Sequence, residues 1–294
     1  MDRRGIFLVT IMGVSLYMLH ILSTQFPVIH THITNNYLKE ENITDTLAIS
    51  PRSLKDSFGF LEYSDVQWKR MRSVHLAQSR RQRGVQSDSG RIFFQSNWEP
   101  TISCAMQQRI GPVGDGGKWV CDAYRIAQAE ECNVVSIGSN NDWSFEIAVH
   151  KLNPVCKIFT FDHTITPHNK PPYVTFMKFG IGPTDTGQIL TVSNALWKIG
   201  LHMKKVDIFK IDCEGCEKYI YPSFGQFDLR QILMEVHKSN WPVNSLFEGM
   251  LSAGYAIFHK EPNTMGCSGN CIEYGFLKLK HGFATNLQTI DTNR

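Results

Sequence analysis

The sequence predicts an α/β domain, a doubly wound and mostly parallel sheet over residues 106–294. Three observations predict it. From about Gly111 onward, short apolar runs alternate with helix-length stretches, the texture of βαβ units. Successive runs end on a glycine or an acid, the residue types that border a ligand at the carboxyl ends of parallel strands. The last two runs have little between them, which predicts an antiparallel strand at the edge.

The chain opens differently. Arg3 and Arg4 precede an uncharged run from Gly5 to Leu22, long enough to cross a bilayer as a helix. No further positive charge follows until Lys39, so the positive-inside rule puts the N-terminus in the cytoplasm and the rest in the lumen. Residues 1–22 therefore read as a cytoplasmic tip and transmembrane signal-anchor. The other reading is a cleaved signal peptide, for which the run is long. Asn42-Ile43-Thr44 is an N-glycosylation acceptor, and eight cysteines, an even number, suit an oxidising compartment. The expected location is a single-pass type II membrane protein of the Golgi or endoplasmic reticulum, or a secreted product after cleavage.

Residues 23–105 read as a polar stem. Within it Asp65 to about Gln82 predicts a helix with Trp68, Met71, Val74 and Leu76 on one face. Its basic cluster reads as a solvated face, and Arg80-Arg81-Gln82-Arg83 also fits an Arg-x-x-Arg site for a processing protease.

The domain is then justified run by run. Gly116 and Gly117 open a helix through Ala129. Asn133–Ile137 is a buried strand ending at Gly138, and a helix follows from Ser144 to Lys151. Cys156–Phe161 is a strand ending at Asp162, and Tyr173–Phe179 one ending at Gly180. A helix over Ser193–Ile199 precedes the strand Val206–Ile211. Gln231–Val236 is a strand, Asn244–Ala253 a helix, and Tyr255–His259 and Ile272–Leu279 the closing strands. Hydrophobic residues make up 42% of the chain, enough for a core of that size. With 30 basic and 27 acidic residues, net charge is only +3, so nothing points to a nucleic-acid partner.

Residues just after each strand are the candidate site. Gly138 allows close backbone approach of a ligand. Ser139 and Asn140 offer polar groups at the start of the next helix, whose free amides favour an anionic group. Asp162, 24 residues after Gly138, stands where a ribose hydroxyl pair is held in this architecture. Gly180 and Ile181 border space for a flat base. Asp212 and Glu214 put two carboxylates at the mouth of the same cleft, and Glu235 and His237 add an acid and a base. Asp212, Glu214 and His237 are the candidate catalytic residues. Glu217 reads as a helix-capping acid.

Two blocks carry a resemblance. Lys210-Ile211-Asp212-Cys213-Glu214-Gly215-Cys216-Glu217 resembles the Lys-Ile-Asp-x-Glu-Gly-x-Glu signature of FkbM-type methyltransferases. Asp115–Asp122, followed by Ser136–Glu146, is similar to the methyltransferase-like protein 24 group. The resemblance covers roughly residues 100 to 280. It implies a Rossmann-like class I methyltransferase fold, a mostly parallel sheet with an antiparallel edge strand, and S-adenosylmethionine as the donor. By position it puts Gly138, Ser139 and Asn140 along the methionine part, Asp162 on the ribose, Gly180 and Ile181 near the adenine, and Asp212 and Glu214 toward the transferred methyl. Ser136, where many methyltransferases have an acid, and Asp142, where FkbM-type proteins have glycine, depart from the pattern.

The expected function is S-adenosylmethionine-dependent methylation, on oxygen, of an unknown lumenal acceptor: a glycan, a secreted protein or a lipid head group. Asp212, Glu214 or His237 would take the acceptor's proton. Asp212 and Glu214 also suit a divalent cation, although no metal site is predicted. Two rivals remain: a secretory-pathway glycosyltransferase using Asp212-Cys213-Glu214 as its acidic motif, and an inactive fold that binds a partner. Cys213 with Cys216, and Cys267 with Cys271, read as local disulfides, with zinc as the other use of those four.

Overall fold

The computed structural model describes residues 65–79, 82, 84, 86–104, 106–238 and 242–279. The predicted membrane-spanning run, the acceptor Asn42, and Arg80, Arg81 and Arg83 lie outside the described residues. Among the described residues, no helix is long and apolar enough to cross a membrane.

Helix α1 spans Asp65–Ser79 and α2 spans Gly90–Ser96. Among the described side chains of α1 His75 is buried, whereas Val74, predicted to share a face with Met71 and Leu76, is exposed. Met71 and His75, four apart, share a face, and Gln78 ties that face to the domain by donating to the Pro100 carbonyl at 2.7 Å. Residues predicted as stem pack into the core: Phe93, Phe94, Trp98 and Ile102 are all buried. Trp98 stacks on Phe247, and its ring nitrogen donates to Asn244.

The run predicted as one helix from Gly116 to Ala129 is a strand followed by a short helix. β1 (Gln108–Ile110) pairs antiparallel with β2 (Lys118–Val120), and α3 covers only Ala123–Ala127. Asp122 divides them: its backbone is left-handed, and its side chain accepts from the Arg125 amide, capping α3.

The central sheet contains β3 (Asn133–Ile137), β4 (Lys157–Phe161), β5 (Val174–Met177), β8 (Ile208–Ile211), β9 (Gln231–His237), β10 (Tyr255–Pro262) and β11 (Cys271–Lys278). A small parallel pair, β6 (Gly180–Ile181) and β7 (Ile189–Leu190), stands apart from it. Across the central sheet the order is β10-β11-β9-β8-β3-β4-β5. β3, β4, β5, β8 and β9 are parallel, linked by α4 (Ser144–Leu152), α5 (Val192–Lys198) and α6 (Glu217–Ile220). The antiparallel strand is β11, and it lies second from the edge rather than at it. After α7 (Val243–Ser252) the chain passes one strand position before β10, and the hairpin returns β11 into the slot.

Strand residues alternate between two apolar layers. Val135, Ile137, Phe209, Ile211, Ile232 and Met234 enter one cluster, and Val134, Ile158, Ile208 and Leu233 enter the other. Burial on both faces is why these strands read as continuous apolar runs. The order reverses between β3 and β8, the switch point at which a doubly wound sheet opens a crevice.

Candidate functional site

The crevice is a cleft of about 530 Å³ beyond the carboxyl ends of the parallel strands. All nine predicted site residues line it: Gly138, Ser139, Asn140, Asp162, Gly180, Ile181, Asp212, Glu214 and His237.

Gly138 ends β3 with φ of +79°, and a Cβ there would lie 1.7 Å from the Asp212 carbonyl oxygen. The close approach that needs glycine is thus to the neighbouring loop of this same chain. Lys210 fixes that crossing: its Nζ donates to the Gly138 carbonyl at 2.8 Å and lies 3.7 Å from Asp212 Oδ2.

The amides of Ser139 and Asn140 are predicted to face an anionic ligand group. The anion they meet is Asp162, whose Oδ2 accepts from both at 3.0 Å. Its Oδ1 accepts from the Thr164 amide at 2.9 Å and hydroxyl at 2.6 Å. Burial alone would raise the Asp162 pKa; the bonds from the Thr164 side chain and the three amides outweigh it and hold the carboxyl below its ordinary value. Helix α4 starts five residues after Ser139, at Ser144, whose amide is capped by Asp142 at 2.9 Å. Gly180 passes against His163 and Ile189, and Ile181 is buried beside it.

Asp212 sits over a buried charge cluster that the sequence does not announce. Lys118 is 2% exposed, lies 3.1 Å from Asp212 Oδ2 and also bonds Glu273. Burial favours the neutral amine, but Glu273 and Asp212 outweigh it and keep Lys118 charged. Burial likewise disfavours an ionised Asp212, yet Lys210 and Lys118 hold its carboxyl well below the usual range. Glu235 behaves oppositely: burial, a hydrogen bond to Asp212 and that residue's charge push it up to about 8. Asp212 and Glu235 therefore form an ionised carboxylate beside a carboxylic acid that holds its proton near neutrality. Asn263 donates to Glu235 at 3.1 Å.

His237 lies between two acids, with Nε2 3.2 Å from Glu214 and Nδ1 3.2 Å from Glu217. The Glu217 hydrogen bond and the surrounding carboxylates outweigh burial and raise its pKa to about 9. Near neutral pH it is an imidazolium, which carries a proton already and is not poised as a base. Glu217 is fully buried and accepts from the His237 amide and ring, so it anchors His237 rather than only capping α6.

The divalent cation considered at Asp212 and Glu214 does not fit these partners. Asp212 faces two ammonium groups and Glu214 turns to His237. The four cysteines weighed for zinc pair as disulfides Cys213–Cys216 and Cys267–Cys271, both bordering the cleft. Two further disulfides lie away from the cleft lining: Cys104–Cys121, and Cys132–Cys156 at the amino ends of β3 and β4.

Sequence reasoning missed Lys118 and Glu273 as members of the site. The helix expected from Gly116 covers Lys118, and Glu273 lies inside a closing strand. The signal available was a lysine and a glutamate each isolated in an otherwise apolar strand run, positions that exclude a charge unless it is paired. The acid absent at Ser136 has a neighbour in Glu146, which is buried and accepts from Thr160, the β4 residue opposite Ser136.

No curated protein sequence matches the chain. Among solved structures it is similar to a precorrin-6y C5,15-methyltransferase from Geobacter metallireducens GS-15, at 12% identity over 53% of this chain and 86% of that one, with a TM-score of 0.33. It is also similar to Aeropyrum pernix fibrillarin, solved with natively bound S-adenosyl-L-methionine, at 11% identity over 58% and 83% with a TM-score of 0.35. A third is the Burkholderia thailandensis 1,6-didemethyltoxoflavin-N1-methyltransferase, solved with S-adenosylhomocysteine, at 13% identity over 54% and 79% with a TM-score of 0.32. A family profile described as a methyltransferase domain matches residues 52–278, most of the chain. The chain therefore belongs to the methyltransferase-domain family.

Proposed function

We propose that this methyltransferase uses S-adenosylmethionine to methylate a hydroxyl acceptor on the lumenal side of the secretory pathway, anchored there by its N-terminal apolar run. The observation that carries the reading is the convergence of nine residues, chosen as strand ends, on one cleft at the switch point. When bound, S-adenosylmethionine supplies an electrophilic methyl group. On the β3, β4 and β5 side, Gly138, Ser139 and Asn140 would border its methionine part, and Gly180 and Ile181 its base. Asp162 shapes that half of the cleft by holding the Ser139 and Asn140 amides, and it would be the acid that borders the ribose. On the β8 and β9 side, the ionised Asp212 beside the protonated Glu235 would face the acceptor hydroxyl. The two motif blocks support a finer assignment to the methyltransferase-like protein 24 group.

Calorimetry of S-adenosylmethionine with the full chain tests the donor. Binding is expected, and Asp162→Ala should weaken it at least about tenfold, or 1.4 kcal/mol. A folded protein that takes up no S-adenosylmethionine would refute the proposal and leave a partner-binding role.

A further inference from the structure

The turn between β8 and α6 is closed on itself by Cys213–Cys216, and both cysteines line the cleft. Burial sets this pair apart from the other three. Cys104, Cys121, Cys132, Cys156 and Cys271 are buried, so each of those disulfides has at least one end in the interior. Cys213 and Cys216 are both half-buried. Between them Glu214 is exposed, and a Cβ on Gly215 would meet nothing within 4 Å, so the turn stands in open space within reach of a small reagent.

Two features favour opening this pair. The first is the backbone of the turn, in which Glu214 has φ of +54° and Gly215 φ of +114°. Glycine takes such angles freely, whereas a glutamate in the left-handed region is disfavoured, and an open turn would release it. The second is Glu217, whose carboxylate is fully buried. Its Oε1 accepts from His237, and its Oε2 lies 3.7 Å from Cys213 Sγ. A disulfide sulfur has no proton to offer that oxygen, and a thiol has one. Reduction therefore supplies the buried carboxylate with a donor. A reduced form stabilised in this way makes its disulfide easier to reduce.

The same turn touches both halves of the cleft. A Cβ on Gly138 would lie 3.6 Å from the Cys213 amide nitrogen as well as against the Asp212 carbonyl, so the donor side packs on the start of the turn. On the other side Glu214 reaches His237 Nε2 at 3.2 Å, and Cys216 leads directly into Glu217, which anchors the same imidazole. We propose that Cys213–Cys216 is a dithiol-exchange site and that its redox state sets donor affinity in the cleft. The effect on the donor rests on the S-adenosylmethionine reading above; the exchange itself does not. In the exchange, a thiolate of a dithiol reductant attacks one of the two sulfurs, the S–S bond breaks, and the other sulfur leaves as a thiolate that takes up a proton. The second thiol of the reductant then resolves the mixed disulfide. Two electrons and two protons pass to Cys213 and Cys216, and the reductant is left as a disulfide. The open turn frees Glu214 and loosens the packing against Gly138.

The test is titration of the folded full chain with dithiothreitol, followed by alkylation and peptide mass spectrometry, with S-adenosylhomocysteine calorimetry on the same samples. Cys213 and Cys216 are expected to be alkylated at dithiothreitol concentrations at least about tenfold below those that open any other pair. S-adenosylhomocysteine should bind at least about fivefold more weakly to this selectively reduced protein, and reoxidation should restore the affinity. Cys213→Ser/Cys216→Ser should bind at the weaker level with or without dithiothreitol. Coincident opening of all four pairs, or earlier opening of Cys267–Cys271, would overturn the exchange site. Equal affinity in the oxidised and selectively reduced protein would overturn the coupling to the cleft. A folded chain that binds no S-adenosylhomocysteine in either state would refute the donor reading and the coupling with it, while the alkylation pattern decides the exchange site by itself.

Discussion

At the scale of single residues, the site is organised by which carboxyl groups keep a proton and which do not. His237 is held protonated by Glu217 and the surrounding acids, with its pKa raised from 6.5 to about 9. A raised folded-state pKa means stability that is complete below the unfolded value and is lost as pH climbs through the folded one. Glu235, raised from 4.5 to about 8, acts in the same direction. The contribution of these two groups should therefore fall from about pH 4.5 to about pH 9, and His237→Asn should remove the part of the slope above about pH 6.5. Allowing for the partial exposure of His237, the stability gap between wild type and variant should narrow by about 2 kcal/mol across that range. Urea unfolding at both ends measures it; a gap that stays constant would mean the imidazole is neutral in the fold. Gly138 makes a steric prediction. With φ of +79° and the Asp212 carbonyl in the way, Gly138→Ala should cost at least about 2 kcal/mol and weaken donor binding with it, because the two loops must part.

At the scale of elements, Lys118 on β2 joins the small antiparallel pair to the central sheet through Glu273 on β11 and Asp212 after β8. Lys118→Met should cost on the order of 3 kcal/mol, because it leaves Glu273 buried without its ammonium partner and Asp212 with Lys210 alone. Adding Glu273→Gln should recover part of the loss, and denaturant midpoints of the three proteins would show it. A single variant as stable as wild type would mean that water already reaches the cluster. This element also marks the limit of what the sequence reveals. The parallel strands are legible because burial on both faces makes each a short apolar run, and the site residues follow because ligands gather at strand ends. β2 is not legible: three residues are too few to show a period, and its flanking glycines read equally well as a helix start. The position of β11 is not legible either, since local pattern gives its hairpin with β10 but not the slot into which the hairpin folds. The α1 face failed for a different reason. His75 is polar by type yet buried by its environment, which lowers its pKa to about 4, so an apolar periodicity passes over it.

At the scale of the whole molecule, all eight cysteines are paired, and the pairs differ in what they do. Cys132–Cys156 bridges the segment before β3 to the segment before β4 across 24 residues, so its removal should cost about 3 kcal/mol through the unfolded state. Cys213–Cys216 spans only three residues, and its contribution to global stability should be far smaller. Four disulfides in one domain also bear on where the chain folds. Such a set forms and persists in an oxidising compartment, whereas the cytosol keeps thiols reduced. If the apolar run after Arg3 and Arg4 delivers the domain to the lumen, protein from cells lysed directly into a maleimide reagent should carry no maleimide on its cysteines. The same sample should lose mass when treated with a glycosidase that acts at Asn42. Labelling of Cys213 and Cys216 alone would point to one reducible pair at the cleft within an otherwise oxidised domain. Labelling of all eight, with no mass lost to the glycosidase, would place the domain on the cytosolic side and overturn the lumenal assignment together with the acceptors it implies.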